Sequence, residues 1–251
     1  MLQVRDVSLA YDAEPILEAI DLEVETGQFA SLIGPSGSGK TSILRAVTEL
    51  MRPREGTIRL DVPLTDVGFL FQDDALLPWR TARQNVSLGL RIRGLTTQAA
   101  SEKADRWLGQ LGLDGYGDRY PRQLSGGQRK RVAIAQVLAL EPKLLLMDEP
   151  FASLDAIVRT RITQELLHWV ERERITVLLV THDLEEAIAL SDVIYVLGQG
   201  PRARVRARHD VPIERPRNVV ETRENPVFAR LLKTLWNELS DETPAARSAA
   251  T

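Results

Sequence analysis

The stretch that most limits how this chain can fold is Gly34-Pro35-Ser36-Gly37-Ser38-Gly39-Lys40-Thr41. An apolar run, Phe29-Ala30-Ser31-Leu32-Ile33, leads into it. A segment of helical periodicity, Ile43-Leu44-Arg45-Ala46-Val47, leads out. Strand, glycine loop and helix in that order, with the spacing G-x-x-x-x-G-K-T, make the P-loop pattern. Glycines allow successive backbone N–H groups to turn inward and line one concave surface. The helix that opens near Lys40 points its positive dipole end at the same place. Lys40 adds a full charge suited to the β- and γ-phosphates, and the Thr41 hydroxyl suits Mg²⁺. A plain glycine-rich turn is the bland alternative, and the match of loop, charge and flanking elements weighs against it. A nucleoside triphosphate is the expected ligand. The loop alone does not say what its hydrolysis drives.

A strand before the loop needs a sheet around it. Upstream, Val7, Leu9 and Tyr11 alternate with polar neighbours, as do Ile20, Leu22 and Val24 with Asp21, Glu23 and Glu25. This predicts two half-buried strands forming an antiparallel layer. Turns are expected at Asp12-Ala13-Glu14-Pro15 and at Thr26-Gly27. Downstream, 57–60 and 67–71 read as short strands. From about 85 to 140 the periodicity is helical. One helix covers 97–111, with Ala100, Ala104, Trp107, Leu108 and Leu111 on one side. Another covers 126–140, with Val132, Ile134, Ala135 and Leu138 inward. Leu144-Leu145-Leu146-Met147 is a continuous apolar run typical of a buried parallel strand. Helix 155–170, strand 176–180, helix 184–190 and strand 193–197 follow.

Strand and helix in alternation predict an α/β fold with a doubly wound, mainly parallel sheet. The expectation is one domain over 1–240. Its core covers about 1–84 and 142–215, an inserted helical sub-lobe about 85–141, and a C-terminal helix about 225–240, with a disordered tail at 241–251. The stripe Phe228, Leu231, Leu232, Leu235 and Trp236 reads as core packing of that last helix. Arg202, Arg204, Arg206 and Arg208 alternate, so a strand there would carry four arginines on one face. A charged edge strand is the plainer reading, and a membrane or permease contact the other.

Composition excludes several classes. A net charge of −3 gives no global basic field for nucleic acid. The chain has no cysteine, so disulfide and thiol chemistry are excluded. No apolar run approaches the roughly 18–20 residues of a membrane span. Met1-Leu2-Gln3-Val4-Arg5-Asp6 reads straight into a strand, so no signal peptide is expected.

Two further motifs carry chemistry. Asp148 and Glu149, in Met147-Asp148-Glu149-Pro150, stand at the C-terminal end of a buried strand. Ligands in open α/β sheets bind at that edge. Asp148 suits Mg²⁺ and Glu149 suits the attacking water. Leu124-Ser125-Gly126-Gly127-Gln128 opens a helix. Ser125 can cap it, and two glycines expose backbone N–H groups, which makes a second anion site. Alone it would be a bare N-cap.

Together, 34–41, 124–128 and 144–150 in this order resemble the nucleotide-binding subunit of an ATP-binding cassette (ABC) transporter, a P-loop NTPase. The resemblance runs from residue 2 to about residue 213. It implies ATP and Mg²⁺, with Gly34, Pro35, Ser36, Gly37, Ser38, Gly39, Lys40, Thr41 and Ser42 around the phosphates. It also implies a homodimer, in which Ser125, Gly126, Gly127 and Gln128 of one copy close on the ATP of the other. Tyr11 matches the aromatic that stacks on adenine. Gln72 matches the loop glutamine that meets Mg²⁺ and water, and Thr41 and Asp148 complete that set. Glu149 and His182 match the catalytic carboxylate and the switch histidine, and Ser153-Leu154-Asp155 the loop that crosses the dimer interface. His168 and His209 match nothing.

Departures are few. Thr48-Glu49-Leu50 stands where the family usually has Ala-Gly-Leu, and Lys130 stands where Gln is common. Phe71-Gln72-Asp73-Asp74-Ala75-Leu76-Leu77-Pro78-Trp79 and Val211-Pro212-Ile213 are similar to the nitrate/sulfonate/taurine-type importers. Trp79 is then either a permease anchor or a core tryptophan. The resemblance implies an ATPase at the cytoplasmic face of the inner membrane. Its partners would be an integral membrane permease and, indirectly, a periplasmic or lipid-anchored solute-binding protein, with no nucleic acid. A soluble non-transport ABC ATPase and an exporter subunit are the alternatives.

Overall fold

The structure is a computed structural model that describes residues 1–12 and 14–240. The centre of the expected turn at Ala13 and the expected tail at 241–251 lie outside the described residues. In chain order the elements are β1 (Leu2–Tyr11), β2 (Glu14–Val24), β3 (Phe29–Ile33), α1 (Lys40–Val47), β4 (Glu55–Leu60) and β5 (Val67–Leu70). Then come α2 (Ala82–Ile92), α3 (Thr97–Gln110), α4 (Gly126–Leu138), β6 (Leu144–Asp148) and α5 (Ala156–Arg172). The chain closes with β7 (Thr176–Thr181), α6 (Leu184–Leu190), β8 (Val193–Leu197), β9 (Val205–Asp210) and α7 (Pro226–Ser240). Two compact units result: Met1–Asp61 with the chain from Thr176 onward, and Val62–Ile175.

In the first unit, β7, β3 and β8 lie side by side and parallel, with β9 antiparallel beside β8. Every residue of β3, β7 and β8 is buried. Both faces of these strands are covered, which is why they read as unbroken apolar runs. The antiparallel layer is β2-β1-β4. Its alternation changes phase: Leu2 and Val4 point inward, then Val7 and Leu9. The switch is a bulge between Val4 and Val7, with Asp6 at φ 51°. β2 answers it at Ala19, φ 49°, between buried Leu17 and Ile20. Glu49, after α1, adopts φ 60°, a conformation that favours glycine, the residue the resemblance leads one to expect there.

The arginine face forms only in part. Arg206 and Arg208 lie in β9 on its exposed side. Arg204 precedes the strand and pairs with Glu18 at 3.0 Å, and Arg202 lies outside the strand at φ 61°. The stripe on α7 also needs correcting. Phe228 and Leu235 are buried, but Trp236 is 64% exposed and does not pack in the core.

In the second unit, β5 and β6 pair in parallel. Helix α2 begins at Ala82, earlier than the helical periodicity suggests, because Thr81 and Gln84 close a capping box ahead of it. Asn85, fully buried, accepts from Leu77 N at 2.7 Å, and its two amide N–H donors are shared among the carbonyls of Leu77, Arg80 and Thr81. The turn before α2 is thereby fixed, and Trp79 stands out of it at 70% exposure, so it is not a core tryptophan.

Candidate functional site

The first unit carries the glycine loop between β3 and α1. Helices α2 to α6 each open on a capping side chain: Thr81, Thr96, Ser125, Asp155 and Asp183. Helix α1 opens on Gly39, which offers none. Its φ of 95° is left-handed, and a Cβ there would lie 2.6 Å from Ile16 Cγ2 and 2.9 Å from Leu17 Cδ2. Only glycine fits, and no side chain caps the first turn of α1. Gly39→Ala is expected to cost roughly 1–3 kcal/mol in stability from that strain and crowding. Thermal unfolding reads this directly, and an unchanged Tm would show that the loop tolerates a side chain.

Lys40 is 5% exposed and donates from Nζ to the carbonyls of Gly34 and Pro35, both at 2.8 Å. Its charge is therefore held inside the loop. Ser38 Oγ is buried in the same loop with no hydrogen-bond partner. A buried orphan hydroxyl beside a buried ammonium, under an uncapped helix end, suits an anionic ligand. Ser42 is buried one turn on, while Ser36 and Gly37 face out. Tyr11, 49% exposed, accepts a hydrogen bond from Arg45 on α1, so the loop's helix orients its ring.

His182 follows β7 directly. Ile33, the residue before Gly34, pairs with Thr181, the residue before His182. Loop and histidine thus leave the sheet at one edge, the carboxyl end. The turn after β7 is well tied. Thr181 donates to the Glu186 carboxylate, Asp183 N donates to Thr181 Oγ1 at 3.0 Å, and Asp183 caps α6. His182 is exposed on that turn. Glu186, which steadies it through Thr181, is a residue that reading the motif alone passes over.

The second unit repeats the arrangement. Leu70 pairs with Met147, so Phe71-Gln72 and Asp148-Glu149 leave the carboxyl ends of adjacent parallel strands. Gln72 is exposed, and Glu149 has φ 43°. Ser125 and Gln128 form a full capping box: Gln128 N donates to Ser125 Oγ at 3.2 Å, and Ser125 N donates to Gln128 Oε1 at 2.9 Å. The Gln128 side chain is used within the helix start itself. The two glycines differ. Gly126 faces out, whereas a Cβ on Gly127 would meet Val158 Cγ1 of α5 at 2.8 Å. Ile157, beside Val158, is 83% exposed.

Residues 17–152 match the family profile described as ABC transporter. The chain is 42% identical over 248 residues to the aliphatic sulfonates import ATP-binding protein SsuB 2 of Rhizobium johnstonii, covering 99% of this chain and 94% of that protein. It is 40% identical over 206 residues to the taurine import ATP-binding protein TauB of Escherichia coli O157:H7, covering 80% and 81% respectively. Among solved structures, it resembles the dimeric post-hydrolysis state of the ATP-binding cassette MJ0796 bound to ADP and Pi. There the TM-score is 0.75 at 31% identity, with 85% of this chain and all of that one covered.

Proposed function

The chain belongs to the ABC transporter family, and from that premise we propose that it is the ATP-hydrolysing subunit of an importer. It works as a pair of copies against an integral membrane permease. One observation carries the reading: the loop after β3, His182 after β7, Gln72 after β5 and Glu149 after β6 all leave carboxyl ends of parallel strands.

The residue roles follow the motifs. Tyr11 stacks on adenine. The loop 34–42 wraps the phosphates, and Lys40 exchanges the carbonyls of Gly34 and Pro35 for β- and γ-phosphate oxygens. Ser125, Gly126 and Gly127 of the second copy close the site from the other side, with Gln128 holding that helix start in shape. Glu149 orients the attacking water, Gln72 lies toward the same water, and His182 contacts the γ-phosphate. Thr41, Gln72 and Asp148 would hold Mg²⁺. That set is a hydroxyl, an amide and a carboxylate, all hard oxygen donors. When bound, the ion neutralises phosphate charge.

No helix among the described residues is long and apolar enough to cross a membrane. By analogy with the importer relatives, the subunit is held at the cytoplasmic face of the inner membrane by its permease. Trp79, exposed on a fixed turn, supports that contact, because a buried aromatic is the usual anchor of an interface. A sulfonate- or taurine-type solute, delivered by a solute-binding protein, accords with the relatives. Copurification with the permease encoded beside it, followed by solute uptake that depends on ATP, tests the reading. Uptake without this subunit would refute it. Lys40→Ala is expected to weaken ATP binding about a hundredfold, because a charged phosphate contact disappears. Calorimetry measures it, and unchanged affinity would remove Lys40 from the site.

A further inference from the structure

Lys130 is fully buried, one of only two lysines buried at all among the described residues, the other being Lys40. An ammonium is costly to bury unless its donors are matched. Here they are. Lys130 Nζ lies 3.0 Å from Asp74 Oδ1 and donates to the carbonyls of Gln72 at 3.0 Å and Phe71 at 3.4 Å. Three donors meet three acceptors, all on one loop. Asp74 is also approached by Arg129 Nε at 3.4 Å, from the same helix. The loop needs this grip. Phe71 is 46% exposed, and no main-chain hydrogen bond ties residues 73–76 among the described residues.

We propose that Lys130 is a positioning residue for Gln72: it fixes the main chain at Gln72 to the helix that starts at Ser125. The inference rests on the proposed role of Gln72 at the attacking water. Its partners distinguish it from ordinary packing. The ammonium grips the carbonyl of Gln72 itself, and Lys130 stands on α4 shortly after Ser125. A shift of that helix therefore carries Gln72 with it. Glutamine, common at this position in the family, would bring amide donors but no charge for Asp74.

The test uses the full chain in three forms. Lys130→Met with Asp74→Asn removes the clamp and leaves no buried charge unpaired. Gln72→Ala removes the side chain that the clamp would place. The triple variant combines them. ATP turnover and Tm are measured for each. The Lys130/Asp74 pair is expected to keep its KM within about twofold and lose about tenfold in kcat, as for a misplaced reacting group. The triple variant should then be no slower than Gln72→Ala. An unchanged kcat for the pair, with Gln72→Ala slow, overturns the positioning role and leaves that of Gln72 standing. A wild-type kcat for Gln72→Ala overturns both. Multiplying effects in the triple variant, or a KM rise without a kcat change, also overturn it. Those outcomes place Lys130 in stability or nucleotide binding instead.

Discussion

Glu149→Gln is expected to bind ATP as the wild type does, to accumulate as an ATP-held dimer, and to hydrolyse roughly a thousandfold more slowly. The amide matches the carboxylate in shape, so packing at the end of β6 survives. The ability to draw a proton from water does not. The role proposed for Glu149 is supported by its backbone, which lies in the left-handed region, φ 43°, at the carboxyl end of a strand. A non-glycine residue there stores of order 1 kcal/mol or more, and such strain collects where side chains are aimed at chemistry. Size-exclusion chromatography with ATP, beside phosphate release, measures both halves of the expectation. Wild-type turnover would exclude Glu149 as the group that orients water. Loss of ATP binding would show that it serves the nucleotide rather than the reaction.

Ser125→Arg carries a comparable effect by a different route. It removes a capping box worth about 1 kcal/mol and puts a large cation on a helix start where an anion belongs. ATP affinity in the same copy should be nearly unchanged, because the P-loop is untouched, while hydrolysis falls below detection. Mixing supplies the sharper result. Lys40→Ala and Ser125→Arg are each expected to be inactive alone. In a mixed dimer the intact loop of one copy meets the intact Ser125 of the other, so activity returns on combining them. A mixture as inactive as its parts would mean that each copy completes its own site. Hydrolysis surviving in Ser125→Arg alone would exclude the two-copy site outright.

Residues whose environment is nearly uniform were the ones legible in the sequence. β3, β7 and β8 are buried throughout, so their apolar runs marked them without ambiguity. The P-loop was legible because spacing and flanking elements agreed. The phase change in β1 was not. It is set by Asp6 and Ala19 adopting positive φ together, and alternation scored within either strand alone averages over it. The start of α2 was written in Thr81 and Gln84, a box that the apolar period beginning later overshadowed. Trp236 shows the opposite failure, since helical spacing gives a face but not what covers it. At the candidate site, Gly126 and Gly127 look equivalent as letters, yet Val158, far along the chain, decides which one is packed. Lys130 stood out as a substitution, but its partner Asp74 is distant in sequence and nothing local joins the two.

The turn held by Asn85 bears on how a partner would be received. Contacts to one buried amide fix the main chain at Leu77, Arg80 and Thr81, on either side of exposed Trp79, before anything binds. Immobilising a segment on association costs of the order of 0.5–1.5 kcal/mol for each ordered side chain, and that is subtracted from affinity. Here the main-chain part of that ordering is completed during folding, so a partner that used Trp79 would pay only for its side chain. A weakening of Asn85 would thus appear as slower capture of the partner and a less favourable binding entropy, with nucleotide turnover in the isolated subunit left alone.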